Sequence, residues 1–392
     1  MMTSRERILK SLRCEPVDQV PVCLFLADQG HFINQLCPDV DPWDFETLQL
    51  KIIEFQKSMG FDILMRVLYM DPKKLPYIIY GGVNVNSETE NWEVSKTYQQ
   101  NGTVRVESST IRTPKGTLTQ DFTYNEIRPG TFLYACTKKP VISRDDFEIV
   151  RAYEPAISEY EKNTIRRRMK VILDAVGDDG IVGAWTPGGP FNNAACIINH
   201  EELYSMGITD PEYYQDLLDF TTERINDYTR TLSQAGADVL CTGGNVGGAF
   251  LGRSYFDNYI LPYEQKYAQV CKENNKVQIY HNCGQIMGLL ESYKALGVST
   301  VEPFSPHPLG DGDIKEAKLI IDGKYSIIAG IDHVNILQNG TVEMVENATK
   351  EAMLVGKAGG GFIMQNVDFL EYGTPIKNVE AYLRTAQQYA KY

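Results

Sequence analysis

Eight short apolar runs, set apart by stretches with helical periodicity, constrain the fold of this chain more than any other feature. They cover residues 20–26, 61–67, 180–185, 237–242, 276–280, 298–304, 325–331 and 361–365, each about as long as a strand. Between most of them apolar residues recur at helical spacing, as in residues 211–234, 256–274, 286–296 and 342–357. Several of these segments follow capping residues, as in Thr209-Asp210-Pro211 and Gly340-Thr341. Strands that alternate with helices over short connections must lie parallel and cross over right-handedly. Eight such units close into a (β/α)8 TIM barrel, which is the α/β fold the pattern predicts.

Residues 77–137 break the rhythm. They are rich in Thr, Tyr, Val and Asn, with turn signals at Gly81-Gly82, Asn101-Gly102, Lys115-Gly116 and Pro129-Gly130, which is the pattern of antiparallel hairpins. The expectation is a β-rich insertion after the second strand. Residues 1–76 would then hold an N-terminal helix and the first barrel strands, and 138–392 the remainder of the barrel, as one catalytic domain. No repeats or low-complexity tracts interrupt it, so the insertion should pack on the barrel.

Composition narrows the function. A net charge of −13 argues against nonspecific nucleic-acid binding, which needs clustered Lys and Arg. The dense basic run Arg166-Arg167-Arg168 falls within a helical pattern and reads as a solvated face. No apolar run approaches the roughly 20 residues of a membrane-spanning helix. The N-terminus lacks the apolar region of a secretory signal, so a cytoplasmic protein is expected. Its 8 cysteines are scattered through a large chain and should be reduced thiols, free for metal.

In such a barrel the active site is built from the C-terminal ends of the strands and the loops that follow. Those positions hold Asp28 and Gln29, Arg66 and Tyr69, Trp185 and Thr186, Asn245, His281 and Cys283, Glu302, Asp332 and His333, and Asn366 with Asp368. His281 and Cys283 sit two residues apart at a strand end, and i, i+2 side chains share one face. Zinc accepts this mix of imidazole and thiolate, with three protein ligands and an open fourth position in catalytic sites. A turn into a helix at Gly284 could equally activate Cys283 as a metal-free nucleophile.

Candidates for the third ligand are Glu302 and Asp368, and Glu302 could instead orient His281 from behind. The run Gly243-Gly244-Asn245-Val246-Gly247-Gly248 fits a substrate loop on the catalytic face but lacks the Lys and Ser or Thr of a P-loop. Asn245 in that loop and His333 are candidates for cofactor contacts, and a structural role is open for His333 and for His307. The run Gly356-Lys357-Ala358-Gly359-Gly360-Gly361 precedes the last strand and reads as a tight turn.

Three segments together resemble the uroporphyrinogen decarboxylase superfamily. They are Arg5-Glu6-Arg7-Ile8-Leu9-Lys10-Ser11-Leu12 with Glu15-Pro16-Val17-Asp18-Gln19-Val20-Pro21, then Ile279-Tyr280-His281-Asn282-Cys283-Gly284, and finally Gly360-Gly361-Phe362-Ile363 with Gly373-Thr374-Pro375. The H-x-C-G segment looks like the branch of zinc-dependent methyltransferases that work with a corrinoid protein. That resemblance implies that His281 and Cys283 are zinc ligands and that the partner carries a corrinoid (cobalamin). In the members that methylate coenzyme M a second cysteine near the last strand completes the set. Here residues 365–372 contain none, and Asp368 falls at roughly that place.

An oxygen ligand in place of sulfur leaves a more electrophilic zinc, which suits an oxygen leaving group. The resemblance thus implies a first-step methyltransferase that moves methyl from a small methylated donor, an aromatic methyl ether, to the Co(I) of a corrinoid protein. The 23 tyrosines, Tyr69, Tyr77 and Tyr80 among them, are compatible with an aromatic pocket and equally with plain packing. Two other readings stand beside it. One is a methylcorrinoid:thiol methyltransferase. The other is a metal-free decarboxylase using Asp28, although Leu24-Phe25-Leu26-Ala27-Asp28-Gln29-Gly30 lacks the arginines those enzymes carry there. A homodimer is compatible with all of them.

Overall fold

The computed structural model describes residues 2–26, 31–67, 69 and 82–392. Asp28, Gln29, Tyr77 and Tyr80 lie outside the described residues. In chain order the strands are β1 (Ile63–Val67), β2 (Glu93–Asn101), β3 (Val104–Thr113), β4 (Gly116–Arg128), β5 (Thr131–Lys138), β6 (Gly180–Trp185), β7 (Val239–Gly243), β8 (Val277–His281), β9 (Thr300–Glu302), β10 (Ser326–Ala329) and β11 (Phe362–Met364). A parallel sheet runs β1-β6-β7-β8-β9-β10-β11, and β2 to β5 form a separate antiparallel sheet. Helices lie between successive parallel strands. Asp210 caps the long helix Pro211–Gln234 and Thr341 caps Val342–Gly356, each side chain taking one of the amide hydrogens that a helix start leaves unpaired.

Seven of the eight apolar runs are thus laddered strands, and the first is the exception. Residues 20–26 touch both edges of the sheet: Cys23 N donates to Met364 O (2.8 Å), Met364 N to Pro21 O (3.0 Å) and Asp62 N to Val22 O (2.9 Å). They make a single bridge, Val22 with Met364, rather than a ladder. Two features account for this. Pro21 has no N–H to give, and the Val22 N–H goes to the Asp62 carboxylate (2.9 Å) instead of a backbone carbonyl. The chain therefore runs across the gap between β1 and β11 pinned at a few points.

Alternation along the parallel strands sorts the interior into levels. Leu64, Ile181, Val239, Cys241, Val277, Ile279, Ile328 and Ile363 form one apolar cluster, joined by Ile8 and Leu12 of the helix Ser4–Leu12. That helix starts at a capping box, with Thr3 and Glu6 bonded to each other's backbone amides, and it closes the N-terminal end of the sheet. One step of two along the strand leads from Leu64 to Arg66, from Cys241 to Gly243, from Ile279 to His281 and from Thr300 to Glu302, and two such steps lead from Ile181 to Trp185. By the period of two those side chains share the apolar cluster's face, at the C-terminal end of the strands.

The antiparallel sheet falls between β1 and β6 in the chain. Its hairpins turn at 102–103, 114–115 and 129–130, where the Asn-Gly, Lys-Gly and Pro-Gly signals lie. It is packed on the rest of the molecule: Trp43, beside the helix Phe45–Met59, meets Phe132 at 4.5 Å and Tyr124 at 5.8 Å between ring centroids.

Candidate functional site

Above the polar level of the sheet is a cavity of about 770 Å³. β7 and β8 run in register so that Gly243 pairs with His281, and His281 pairs with Glu302 of β9. The glycine leaves space at the strand end. Past His281 the chain is held by two backbone bonds, Gly244 N to His281 O and Asn282 N to Glu302 O, both 2.7 Å. Gly284 then takes φ +89°, a left-handed turn natural to glycine, and the chain leaves with Cys283 on the cavity wall.

Asp368 arrives from the far edge of the sheet, in the loop after β11. Asn366, fully buried, organises that approach. Its Nδ2 donates to Phe25 O (2.9 Å) and Asp368 O (2.5 Å), and its Oδ1 accepts from Phe25 N (2.8 Å). One side chain thus ties the 20–26 segment and the Asp368 loop together. One ligand atom each from His281, Cys283 and Asp368 lie within 4.8 Å of one another. A tetrahedral zinc with bonds of about 2.0–2.3 Å separates its ligands by somewhat less, so a small side-chain rotation closes the group.

Glu302 sits behind the imidazole. Its Oε1 lies 3.1 Å from His281 Nδ1, and its Oε2 accepts from Arg66 Nη2. With both oxygens engaged, and Nδ1 turned to Glu302, the imidazole has Nε2 left for a metal. Arg66 is itself sandwiched, its guanidinium 4.0 Å from the Phe25 ring centroid and 5.7 Å from that of Trp185. Burial alone would lower the His281 pKa, but hydrogen bonds and charge from Cys283 and Glu302 outweigh it and push it up to about 10. Burial would raise Glu302, yet Arg66 and His281 hold its carboxyl below the usual range. The imidazole is therefore set in a field that favours a cation at the nitrogen not held by Glu302.

Other expected mouth residues divide. Trp185, Thr186 and Asn245 line the cavity. His333 is not on its wall and instead lies near enough to Glu371 to act on its charge. Asp332 caps the turn at His333–Gln338, accepting from Val334 N and Asn335 N at 2.8 Å, and His307 is exposed in a turn. Tyr69 is fully buried and away from the cavity. The sequence reading missed three groups: Phe25 and Phe369, whose rings meet edge to face at 6.3 Å; the β5 residues Phe132 and Tyr134, which roof the cavity; and His31. Only the apolar alternation of β5 offered any signal for them.

Comparisons with known proteins identify the family. The profile of the family described as "Uroporphyrinogen decarboxylase (URO-D)" matches residues 126–389. A methylated-thiol–coenzyme M methyltransferase of Methanosarcina mazei is 27% identical over 200 residues, covering 51% of this chain and 51% of that protein. A methylcobamide:CoM methyltransferase of Methanosarcina acetivorans is 26% identical over 254 residues, covering 64% of this chain and 70% of its own length. The chain thus spans about half the length of the first of these relatives and 70% of the second. A solved structure, a methyltransferase from Methanosarcina mazei, superposes with a TM-score of 0.69 over 99% of both chains at 20% identity, which marks a shared fold. Two-thirds of the sequence carries the family pattern, strand ends and final loop included, and the chain belongs to the uroporphyrinogen decarboxylase family.

Proposed function

We propose that this protein is a zinc-dependent methyltransferase that passes a methyl group from a small methylated donor, an aromatic methyl ether, to the Co(I) of a corrinoid protein. The observation that carries the reading is the donor set itself: imidazole, thiol and carboxylate converging beside a cavity walled by Phe25, Trp185, Phe132, Tyr134 and Phe369. The donor chemistry fits zinc. Arg66 and Glu302 neutralise one another, so a neutral His281, a Cys283 thiolate and an Asp368 carboxylate balance one dication. When bound, zinc supplies a Lewis acid that draws electron density from the donor's heteroatom, which is worth several kcal/mol.

The chain's own residues do the rest. Glu302 fixes the His281 ring and its tautomer, and Arg66 fixes Glu302. The aromatic walls exclude water and give a flat donor surfaces to stack on. Asn245 and His333 are proposed to meet the corrinoid or its protein at the open side. The fold is proposed to close as a (β/α)8 barrel, with residues 20–26 as its remaining stave and 77–137 inserted after the second, within one catalytic domain. No helix among the described residues is long and apolar enough to cross a membrane, and we place the protein in the cytoplasm.

The relatives' names, which mention a methylated thiol and coenzyme M, favour a second reading, transfer between a methylcorrinoid and a thiol. A screen separates them. The protein is incubated with Co(I) cobalamin and a panel of methoxy-aromatics and methyl thioethers, and methylcobalamin absorbance is followed. The ether reading expects methylcobalamin from the aromatics and about one zinc per chain. Methylation of a thiol by methylcobalamin, with every ether inert, would reverse the assigned direction.

A further inference from the structure

Resting on the ether reading, we propose that His31 is the acid that protonates the departing phenolate, with Glu371 as its positioning residue. The need follows from the balance of the reaction. Co(I) contributes the electron pair of the new Co–CH3 bond, the CH3–O pair stays on oxygen, and the product is a phenol only once a proton arrives. A phenol of pKa about 10, like that of tyrosine, leaves poorly as its anion, so a proton donor within the cavity accelerates the step.

Among the described cavity residues the imidazoles are His31, His200 and His281. His281 is committed to the candidate metal, and His200 sits exposed at the rim. His31 is 3% exposed yet lines the cavity. Its ring packs on Phe369, the neighbour of Asp368, at 4.5 Å between centroids, and Phe369 in turn meets Phe25, which meets the His281 ring at 6.3 Å. His31 therefore shares a continuous aromatic wall with the metal candidates.

Two further features mark it as a built position. Glu371 Oε2 lies 3.7 Å from His31 Nδ1, an ion-pair separation, and the contact keeps the Glu371 carboxyl below its usual range. The backbone of His31 is at φ 53°, ψ −108°, which L residues rarely adopt and which clusters at functional sites. With Nδ1 facing the carboxylate, Nε2 is the nitrogen that delivers the proton, which His31 then regains from water. His333 and Arg128 are the other charged groups that act on Glu371.

The test compares His31→Gln with wild type in single-turnover methylation of Co(I) cobalamin from two donors. One is an unactivated methoxybenzene and the other a nitro-substituted one, whose anion leaves without help. The expected result is a loss of about 100-fold or more on the first donor and under about tenfold on the second, with Glu371→Gln giving the same selectivity more weakly. Equal loss on both donors, with wild type active, overturns the assignment. Wild-type inertness to both donors overturns the ether reading and the inference with it. A readout independent of turnover is the ¹⁵N spectrum of histidine-labelled protein, tractable with 5 histidines. Added phenol product should shift the His31 ring resonances, and an unmoved His31 signal also overturns the proposal.

Discussion

Two ionic clusters, each with a buried arginine, sit at opposite ends of the same parallel sheet, and they are built from the same materials to different ends. At the N-terminal end Arg7 bonds Asp18 through Nε (2.8 Å), Asp62 through Nη1 (2.7 Å) and Met2 O through Nη2 (3.0 Å). Asp62 spends its second oxygen on the Val22 N–H. Burial would lower the Arg7 pKa, but the two aspartates raise it further. At the C-terminal end Arg66, Glu302 and His281 form a more deeply buried chain, and this one ends in an imidazole nitrogen that opens on a cavity beside Cys283 and Asp368. Burial and ion pairing are therefore no guide to function by themselves. The candidate for function is the cluster whose last member has a valence left for something outside the chain.

That contrast can be broken in stages. Replacing His281 or Cys283 with Ala should remove the stoichiometric zinc and lower methyl transfer by about a thousandfold or more while the fold survives, as metal analysis and methylcobalamin absorbance will report. Retained zinc and activity would erase the distinction between the two ends. Asp62→Ala should do the converse. It leaves Arg7 and the Val22 amide short of a partner, at a cost of about 3–5 kcal/mol in urea unfolding, without changing zinc content per folded chain.

Glu302→Gln tests whether the upper carboxylate acts through the imidazole. Zinc affinity should fall about 10–100-fold, measured by chelator competition, and an unchanged affinity would make Glu302 a plain partner of Arg66.

A pH-dependent effect comes from a third buried carboxyl, outside both clusters. Glu264 is 1% exposed, sits against Gly189 at the start of the helix Pro190–Ile197, and is pushed up to about 8 by burial, which the hydrogen bond at Phe191 only partly offsets. Its folded pKa exceeds its unfolded one, so the folded state holds the extra proton between about pH 4.5 and 8. Its contribution to stability is full below that window and declines as pH rises through it, by at most about 1.4 kcal/mol per unit. Glu264→Gln should flatten the stability profile over that range, and thermal unfolding at several pH values will show whether it does.

Much of this was legible in the residues. Seven apolar runs became strands because an interior shielded on both faces demands continuous apolar residues there, and the hairpin turns followed from Gly at positions of positive φ, such as Gly102 and Gly130. The pairing of His281 with Cys283 needed only the period of two. Residues 20–26 failed as a laddered strand because Pro21 and the Asp62 carboxylate lie on its hydrogen-bonding path, and the latter is remote in sequence. His31 carried no local signal at all.

The chain's own pattern was enough to determine the alternating architecture, the end of the sheet at which the candidate ligands gather and two of the three that converge, because periodicity and strand-end position are local properties. Which acid joins them was decided only in three dimensions. Glu302 is the strand neighbour of His281, yet register turns it behind the ring, whereas Asp368 is brought in from the far edge by the bonds of Asn366. Such choices depend on where chain segments distant in sequence meet, and on which of their polar atoms are already satisfied when they do.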